Sequence, residues 1–338
     1  MVKRKVYTVS NSIYCKRLSD DAPIELVSCQ VGIDRDSFAW SFSASVPYTE
    51  IDKVAPTTSG LTEIELGING LIWRFVVENY GKRSQFAKTD VTIGGRSLTA
   101  YLTEPYAAKR DYNHAAPSFA AALADAELNR GGEISGFDLD WQLIDDLGWP
   151  VPANTLNYQG LTPLQAIQKI ATAGGGFVQS HPSEPTVMVV PDYPIASWQW
   201  SGATPNKVIV PDLVKSESLQ WQEKPAYNGV YVEGVVSGVV ALVKIIGTAG
   251  ENQAETFVDR MTCDQAAARQ KGLSILSEGG KQARMSIDLP MHNSIGLLLP
   301  SMLIEVSGQW RGLVRGVSIS VQQKALSITQ SVDVERHY

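Results

Sequence analysis

Between Thr155 and Pro194 a helix start, a helix stop and a hairpin all fall within one short window, which restricts the surrounding fold more than any other stretch does. Thr162-Pro163-Leu164-Gln165 is a capping box with proline at the first helical position. The Thr162 hydroxyl can accept from the Gln165 amide, and the Gln165 side chain can accept from the Thr162 amide. Leu164, Ile167, Ile170 and Ala171 share one helical face, so the helix must lie on an apolar surface. Gly174-Gly175-Gly176 ends it, since glycine enters the left-handed region at least cost. Phe177 to Ser180 reads as a strand, His181 to Pro185 as a turn and Thr186 to Val190 as the returning strand. The expected module is a helix over 163–173 with a hairpin over 176–190, and nothing in it has the pattern of a catalytic centre.

Upstream, from Val6 to about Thr103, the sequence is strands and turns. Phe38, Trp40, Phe42, Ala44 and Val46 alternate with Ala39, Ser41, Ser43 and Ser45, giving one greasy face and one small polar face before Pro47. Ile64, Leu66 and Ile68 alternate up to Asn69-Gly70, a strong hairpin signal, and Ile72 to Val77 returns. A strand is expected over 90–93, a turn at Gly94-Gly95 and another strand over 98–102. Strands so spaced, with almost no helix, predict a closed or nearly closed antiparallel β domain.

From Pro105 to Trp149 the composition shifts to Ala, Leu, Asp and Glu. A short helix is expected over 118–128, with Phe119, Leu123 and Ala126 on one side and Gly131-Gly132 as its stop. After Trp200 strands resume over 207–210, 217–222, 228–233 and 239–246, the last two joined near Ser237-Gly238. Thr262 with Gln265 forms a second capping box, opening a helix over 263–278 that Gly279-Gly280 stops. Strands over 283–289, 302–307, 312–321 and 326–332 complete the chain. The fold class is therefore mainly β with α+β, in three parts: residues 1–104, 105–198 and 199–338.

Function classes are mostly excluded here rather than chosen. A net charge of −6 gives no sign of a general nucleic-acid binder, and Lys3-Arg4-Lys5 and Lys82-Arg83 are short clusters of the kind found on solvated faces. The N-terminal segment lacks the apolar core of a secretory signal, which predicts a protein kept inside the cell or exported without one. Residues 230–247 are apolar but interrupted by Glu233 and Lys244, so paired strands fit them better than a spanning helix. Cys15, Cys29 and Cys263 are too few and scattered for a disulfide framework or a zinc site and read as buried thiols. His114, His181, His292 and His337 sit in unrelated contexts and read as surface or turn residues.

One motif invites a catalytic reading. Gly136-Phe137-Asp138-Leu139-Asp140-Trp141-Gln142 looks like the strand motif of chitinase-type glycosidases, in which spaced aspartates precede an acid that protonates the leaving oxygen. Here the first aspartate position is Ser135 and the acid position is Gln142, and an amide cannot deliver that proton. A Cys263/His292 pair meeting in space is the other conceivable arrangement. The expected catalytic, cofactor and metal residues are none. The alternative is a carbohydrate- or peptidoglycan-active enzyme using Asp138 and Asp140.

Phe38-Ala39-Trp40-Ser41, Ile68-Asn69-Gly70, Gly94-Gly95-Arg96-Ser97-Leu98-Thr99-Ala100, Leu161-Thr162-Pro163-Leu164 with its triple glycine, Trp310-Arg311-Gly312-Leu313-Val314, Thr329-Gln330 and Glu335-Arg336-His337 occur in an order that resembles the baseplate hub proteins of tailed bacteriophages, nearest to those of Mu-like, long-tailed transposable phages. The resemblance implies two tail-tube-like β-barrel domains, 1–104 and 199–338, flanking the α+β domain. It implies a homotrimeric ring at the virion tail tip, assembled in the host bacterial cytoplasm. Such a ring adapts a sixfold tail tube or distal tail ring to a threefold tip and lines the channel for the tape-measure protein and DNA. The implied partners are the distal tail or tube protein, a central tip or fibre protein and the tape measure, with DNA passing without specific binding and no stable membrane insertion. Another tail adaptor is the remaining alternative within this class.

Overall fold

The computed structural model describes residues 10–56, 60–86, 88–130, 136–322 and 326–338. The Lys3-Arg4-Lys5 cluster, the Gly131-Gly132 helix stop and Ser135 lie outside the described residues.

The dominant element is a twelve-stranded sheet. Six strands come from the first hundred residues: β1 (Ile13–Arg17), β2 (Ser28–Asp34), β3 (Ser41–Pro47), β4 (Thr62–Ile68), β5 (Leu71–Gln85) and β6 (Lys88–Ser97). Six come from beyond residue 200: β7 (Lys207–Ile209), β8 (Ser216–Glu223), β9 (Lys281–Pro290), β10 (Leu303–Val306), β11 (Trp310–Gln322) and β12 (Ser327–His337). The main path runs β1-β4-β5-β6-β3-β2-β11-β12-β9-β8, with β10 on β11 and β7 on β10. Alternation sets which side each strand buries: Phe42, Ala44 and Val46 of β3, Ile64, Leu66 and Ile68 of β4, and Met285, Ile287 and Leu289 of β9 all enter one hydrophobic core. Asn69 and Gly70 carry positive φ values of 48° and 85°, as the two-residue β4–β5 turn requires.

Two tail-tube-like β-barrel domains were expected, the first closed or nearly closed, and the hydrogen bonding links the two β regions instead. Antiparallel pairing of β2 with β11, from Ser28 opposite Gln322 to Asp34 opposite Gly316, joins the two β regions into one sheet over one core. Among the described residues the strand path stays open between β1 and β8. Gly94-Gly95 also makes no turn. Both lie inside β6, where β5 bulges between Val77 and Asn79, and a Cβ on Gly95 would stand 1.8 Å from the Val76 carbonyl oxygen. Glycine is there for close strand approach. The segment Leu98–Leu102 is a 3-10 turn rather than a strand, burying Thr99, Ala100 and Leu102.

In the middle of the chain Gly176–Ser180 pairs with Thr186–Pro191, which pairs in parallel with Asp138–Trp141. Helices α1 (Ala120–Asn129) and α2 (Pro163–Ala173) cover this small sheet around Leu123, Trp149, Ile167, Ile170, Val178 and Val189. The capping box of α2 forms in both directions, Gln165 N donating to Thr162 Oγ1 at 3.4 Å and Thr162 N to Gln165 Oε1 at 3.0 Å. Gly175 supplies the left-handed exit at φ 75°. Helix α1 departs from expectation because Ser118–Phe119 is a short strand on Pro150–Val151 and Phe119 is exposed. Leu123 is on the buried face as expected, and with it lie Leu128 and the carboxylate of Glu127, held by Tyr158 Oη at 2.6 Å and Arg130 Nε at 3.1 Å.

Helix α3 (Gln265–Ser277) is capped by Asp264, whose carboxylate accepts from Ala266 N at 2.7 Å. Thr262, the expected cap, instead donates its hydroxyl to the Ala173 carbonyl at the end of α2. The helix packs on a three-stranded sheet of Gly229–Gly234, Val240–Lys244 and Phe257–Asp259 through Val230, Val232, Ala268 and Leu276. No helix among the described residues is long and apolar enough to cross a membrane.

Candidate channel surface and the junction behind it

Around the β2–β11 seam, the face of the large sheet turned away from its core carries mostly short polar side chains. One cross-strand row reads Arg96, Ser41, Gly32, Ser318, Ser331, Asp288, Ser216, passing through β6, β3, β2, β11, β12, β9 and β8. The adjacent row reads Gly94, Ser43, Gln30, Ser320, Thr329. Neither row contains an apolar side chain, and both cross the β2–β11 seam without a break. Gln30 Nε2 donates to Ser318 Oγ at 2.9 Å, and the Ser216 and Ser331 hydroxyls both donate to Asp288 at 2.5 Å. Those two hydroxyls hold the Asp288 carboxyl below its ordinary range, so the charge persists at neutral pH. These two rows are polar, hydrogen-bonded and balanced in charge between Arg96 and Asp288, while the next row adds Asp34 and Asp333.

Behind the sheet a buried ionic junction connects all parts of the chain. Asp192, 3 % exposed, follows the middle hairpin and receives Arg35 from the end of β2, Arg315 from β11 and Ser274 from α3. Arg315 Nη1 reaches Asp192 Oδ1 at 2.7 Å, and its Nε reaches Glu335 Oε2 at 2.9 Å. The Tyr193 hydroxyl donates to Glu335 Oε1 at 2.7 Å, with His337 Nε2 at the same distance from that oxygen. Burial by itself would raise the Glu335 carboxyl. His337, Arg315 and Tyr193 overcome that and hold it at about 2. Burial is also the main force raising the Tyr193 phenol, so it stays a donor.

The residues that sequence reasoning singled out are scattered. Asp138 is exposed at the start of its strand, and Asp140 accepts from the Gln142 amide at 2.7 Å. This triplet lies on the small middle sheet rather than at the end of a barrel strand. Cys263 is buried with its thiol at 3.3 Å from the Met261 carbonyl, and burial pushes it up to about 11, whereas His292 Nδ1 bonds Ser294. His337, expected at the surface or in a turn, is on β12 against Glu335. Among the described residues no group of three His, Cys, Asp or Glu side chains could hold a metal. A cleft of about 710 Å³ between Trp200, Trp310 and Tyr338 contains Arg311, already engaged by Glu305, and Arg336, stacked on Tyr338. The sequence hinted at the polar face only through the serines of β3; the junction left no sequence signal, because its members are 157 and 123 residues apart.

No protein-family model matches the sequence, and no curated protein matches it. Solved structures do. The tail protein from Neisseria meningitidis MC58 superposes with a TM-score of 0.67 over 97 % of both chains at 13 % identity. The chain has the fold of phage tail proteins. The 43 kDa tail protein of prophage MuSo2 from Shewanella oneidensis gives 0.62 over 96 % of both chains at 13 % identity. Prophage tail protein gp18 from Listeria monocytogenes EGD-e gives 0.62 over 95 % of this chain and 94 % of that one at 10 % identity. Agreement at such low identity means that the strand order and the alternation pattern persist while the side chains change.

Proposed function

We propose that this protein is a structural baseplate hub of a tailed phage: a homotrimeric ring that adapts a sixfold tail tube or distal tail ring to a threefold tail tip. The observation that carries the proposal is the full-length agreement in fold with tail proteins, 97 % of both chains in the first case. The large sheet supports it further, since it divides evenly into six strands before residue 100 and six after residue 200. In this reading residues 1–104 and 199–338 act as two tube-like units and residues 105–198 brace them. Three chains then present six units, which is how a threefold body meets a sixfold one. The junction at Asp192 holds the two units and the brace in a fixed relation.

The polar face of the sheet lines the channel. Serine, glycine and glutamine carry no charge, and Arg96, the cation of these two rows, is engaged by Glu78, so phosphate meets little counter-charge and DNA slides past with little counterion release. The tape-measure protein passes the same wall, and the remaining partners are the distal tail or tube protein and a central tip or fibre protein. The site of action is the virion tail tip, after assembly in the host cytoplasm. No residue is assigned to catalysis, a cofactor or a metal, and no stable membrane insertion is involved.

The mass of the purified protein in solution tests the proposal. Three times the chain mass is expected, six times would favour a tube or distal-ring protein, and a monomer at high concentration would overturn the hub reading. The assembled ring is also expected to leave duplex DNA unbound at low salt. Tight binding would overturn the channel assignment.

A further inference from the structure

The cleft of about 710 Å³ is walled by aromatic rings from separate parts of the chain. Trp198 and Trp200 stand on the 3-10 turn Ser197–Gly202, Tyr227 leads into the small three-stranded sheet, Trp310 opens β11 and Tyr338 follows β12. Arg311 fixes one wall: its Nη1 donates to the carbonyls of Trp200, Ser201 and Ala203 at 2.8, 2.7 and 2.9 Å, and its Nε donates to Glu305 at 2.6 Å. The Trp200 ring meets His337 edge-on at 5.0 Å. That wall is therefore set before anything enters, which lowers the cost of binding. A concave, largely aromatic space of this size with a few polar groups has the make-up of a ligand site.

Two kinds of group in the cleft lack partners. The indole N–H groups of Trp40, Trp141, Trp149 and Trp200 each donate to a backbone carbonyl. Trp310 Nε1 has no acceptor in the protein, although the residue is only 8 % exposed. Trp73 Nε1 shares that lack, but Trp73 packs inside the core of the large sheet and does not border the cleft. A buried donor left unpaired is costly, so an acceptor carried in by a ligand is favoured. Charge is the second kind. Lys281 and Arg336 line the same cleft and form no ion pair among the described residues, and Arg336 lies over the Tyr338 ring at 4.4 Å. The acid on the wall, Glu305, is engaged by Arg311.

We propose that this cleft takes a proline-rich, acidic segment of another protein in the polyproline II conformation. Proline rings pack between the aromatic walls, a peptide carbonyl accepts from Trp310 Nε1, and Asp or Glu side chains meet Arg336 and Lys281. Polyproline II suits such a wall because it is stiff before binding and leaves its carbonyls without internal partners. With about three residues per turn, a residue type at every third position forms one row, so an acidic row tracks the two cations while prolines face the rings. A basic segment of the same shape would set like charges against Arg336 and Lys281. This adds a docking partner to the protein and does not depend on how many copies form a ring.

Calorimetric titration of the full chain with a capped peptide of Pro-Pro-Glu repeats tests this. Saturable binding is expected, with Pro-Pro-Lys repeats about tenfold weaker or more. Lys281→Glu with Arg336→Glu is expected to weaken the Pro-Pro-Glu peptide by about tenfold or more, and Trp310→Phe, which keeps a ring and removes the N–H, by about three- to tenfold. Lys281 is exposed and Arg336 partly so, and these reversals carry the test if Trp310→Phe fails to fold. Absence of binding, equal binding of the two peptides, or binding that the reversals leave unchanged would overturn the proposal. Saturable binding of a chitin oligosaccharide in place of the peptide would also overturn it and make the cleft a sugar site. None of these outcomes alters the chain mass in solution, which tests the hub reading separately.

Discussion

Arg315 and Asp192 meet at 2.7 Å in a site where the aspartate is 3 % exposed, and this contact fastens β11 to the chain leaving the middle hairpin. Asp192→Asn would leave Arg315 with Glu335 as its charged partner and strip Arg35 of its carboxylate. The cost is expected to stay below the about 3–5 kcal/mol of a buried charge left without any partner. The expected result is a clear drop in the guanidinium midpoint. Arg35→Ala is expected to cost less than about 1 kcal/mol, because the Arg35 side chain is 32 % exposed.

Acid should weaken the same junction through Glu335. Its carboxyl is held at about 2 against an ordinary 4.5. A carboxylate depressed on folding stabilises fully above its unfolded value, and that contribution disappears as pH falls through the folded one. The amount is roughly 3 kcal/mol, from about 1.4 kcal/mol per unit. Urea melts of wild type should lose stability between about pH 5 and about pH 2, and Glu335→Gln should flatten the slope in that window.

Two glycines separate close approach from backbone conformation. Gly95→Ala would press a methyl group onto the Val76 carbonyl and should cost about 1–3 kcal/mol or more. Gly70→Ala meets no atom within 4 Å but must hold φ at 85°, so about 1–2 kcal/mol is expected. Thermal melts of the two variants measure the difference.

The thiols should be silent in the folded protein. Burial pushes Cys15 and Cys29 up to about 12, with Cys29 adding to the effect on Cys15, and all three cysteines are free and buried. A thiol reagent at neutral pH is expected to label none of them until denaturant is added, and then all three.

Replacing Asp138 and Asp140 by asparagine separates a structural protein from a glycosidase. Both lie at least partly open to solvent, so the change in stability should stay within about ±0.5 kcal/mol. Peptidoglycan release should sit at the buffer level before and after the change, with the oligomer intact. Turnover in wild type that the variant loses would reverse the assignment.

Local chemistry was legible and distant geometry was not. The Thr162–Gln165 box, the Asn69-Gly70 turn and the alternation of Ile64, Leu66 and Ile68 are signals held within a few residues, and the structure repeats them. Thr262 and Gly94-Gly95 misled because each satisfies a local rule while answering to a distant partner: the Ala173 carbonyl for Thr262, the Val76 carbonyl for Gly95. The β3 serines showed a small polar face, but its continuation through Ser318 and Ser331 depends on register between strands nearly 300 residues apart. A side-chain period of two cannot reveal which strand is the neighbour.

The β2–β11 seam also sets a timetable. Gly316, the partner of Asp34, leaves the ribosome 282 residues later, which at about 5–20 residues per second is a wait of roughly 15–60 s. Throughout that interval the nascent amino-terminal region presents β2 with one side bare, open to any other extended segment nearby. Synthesis of β11 is therefore the step that covers this bare side and ends the exposure.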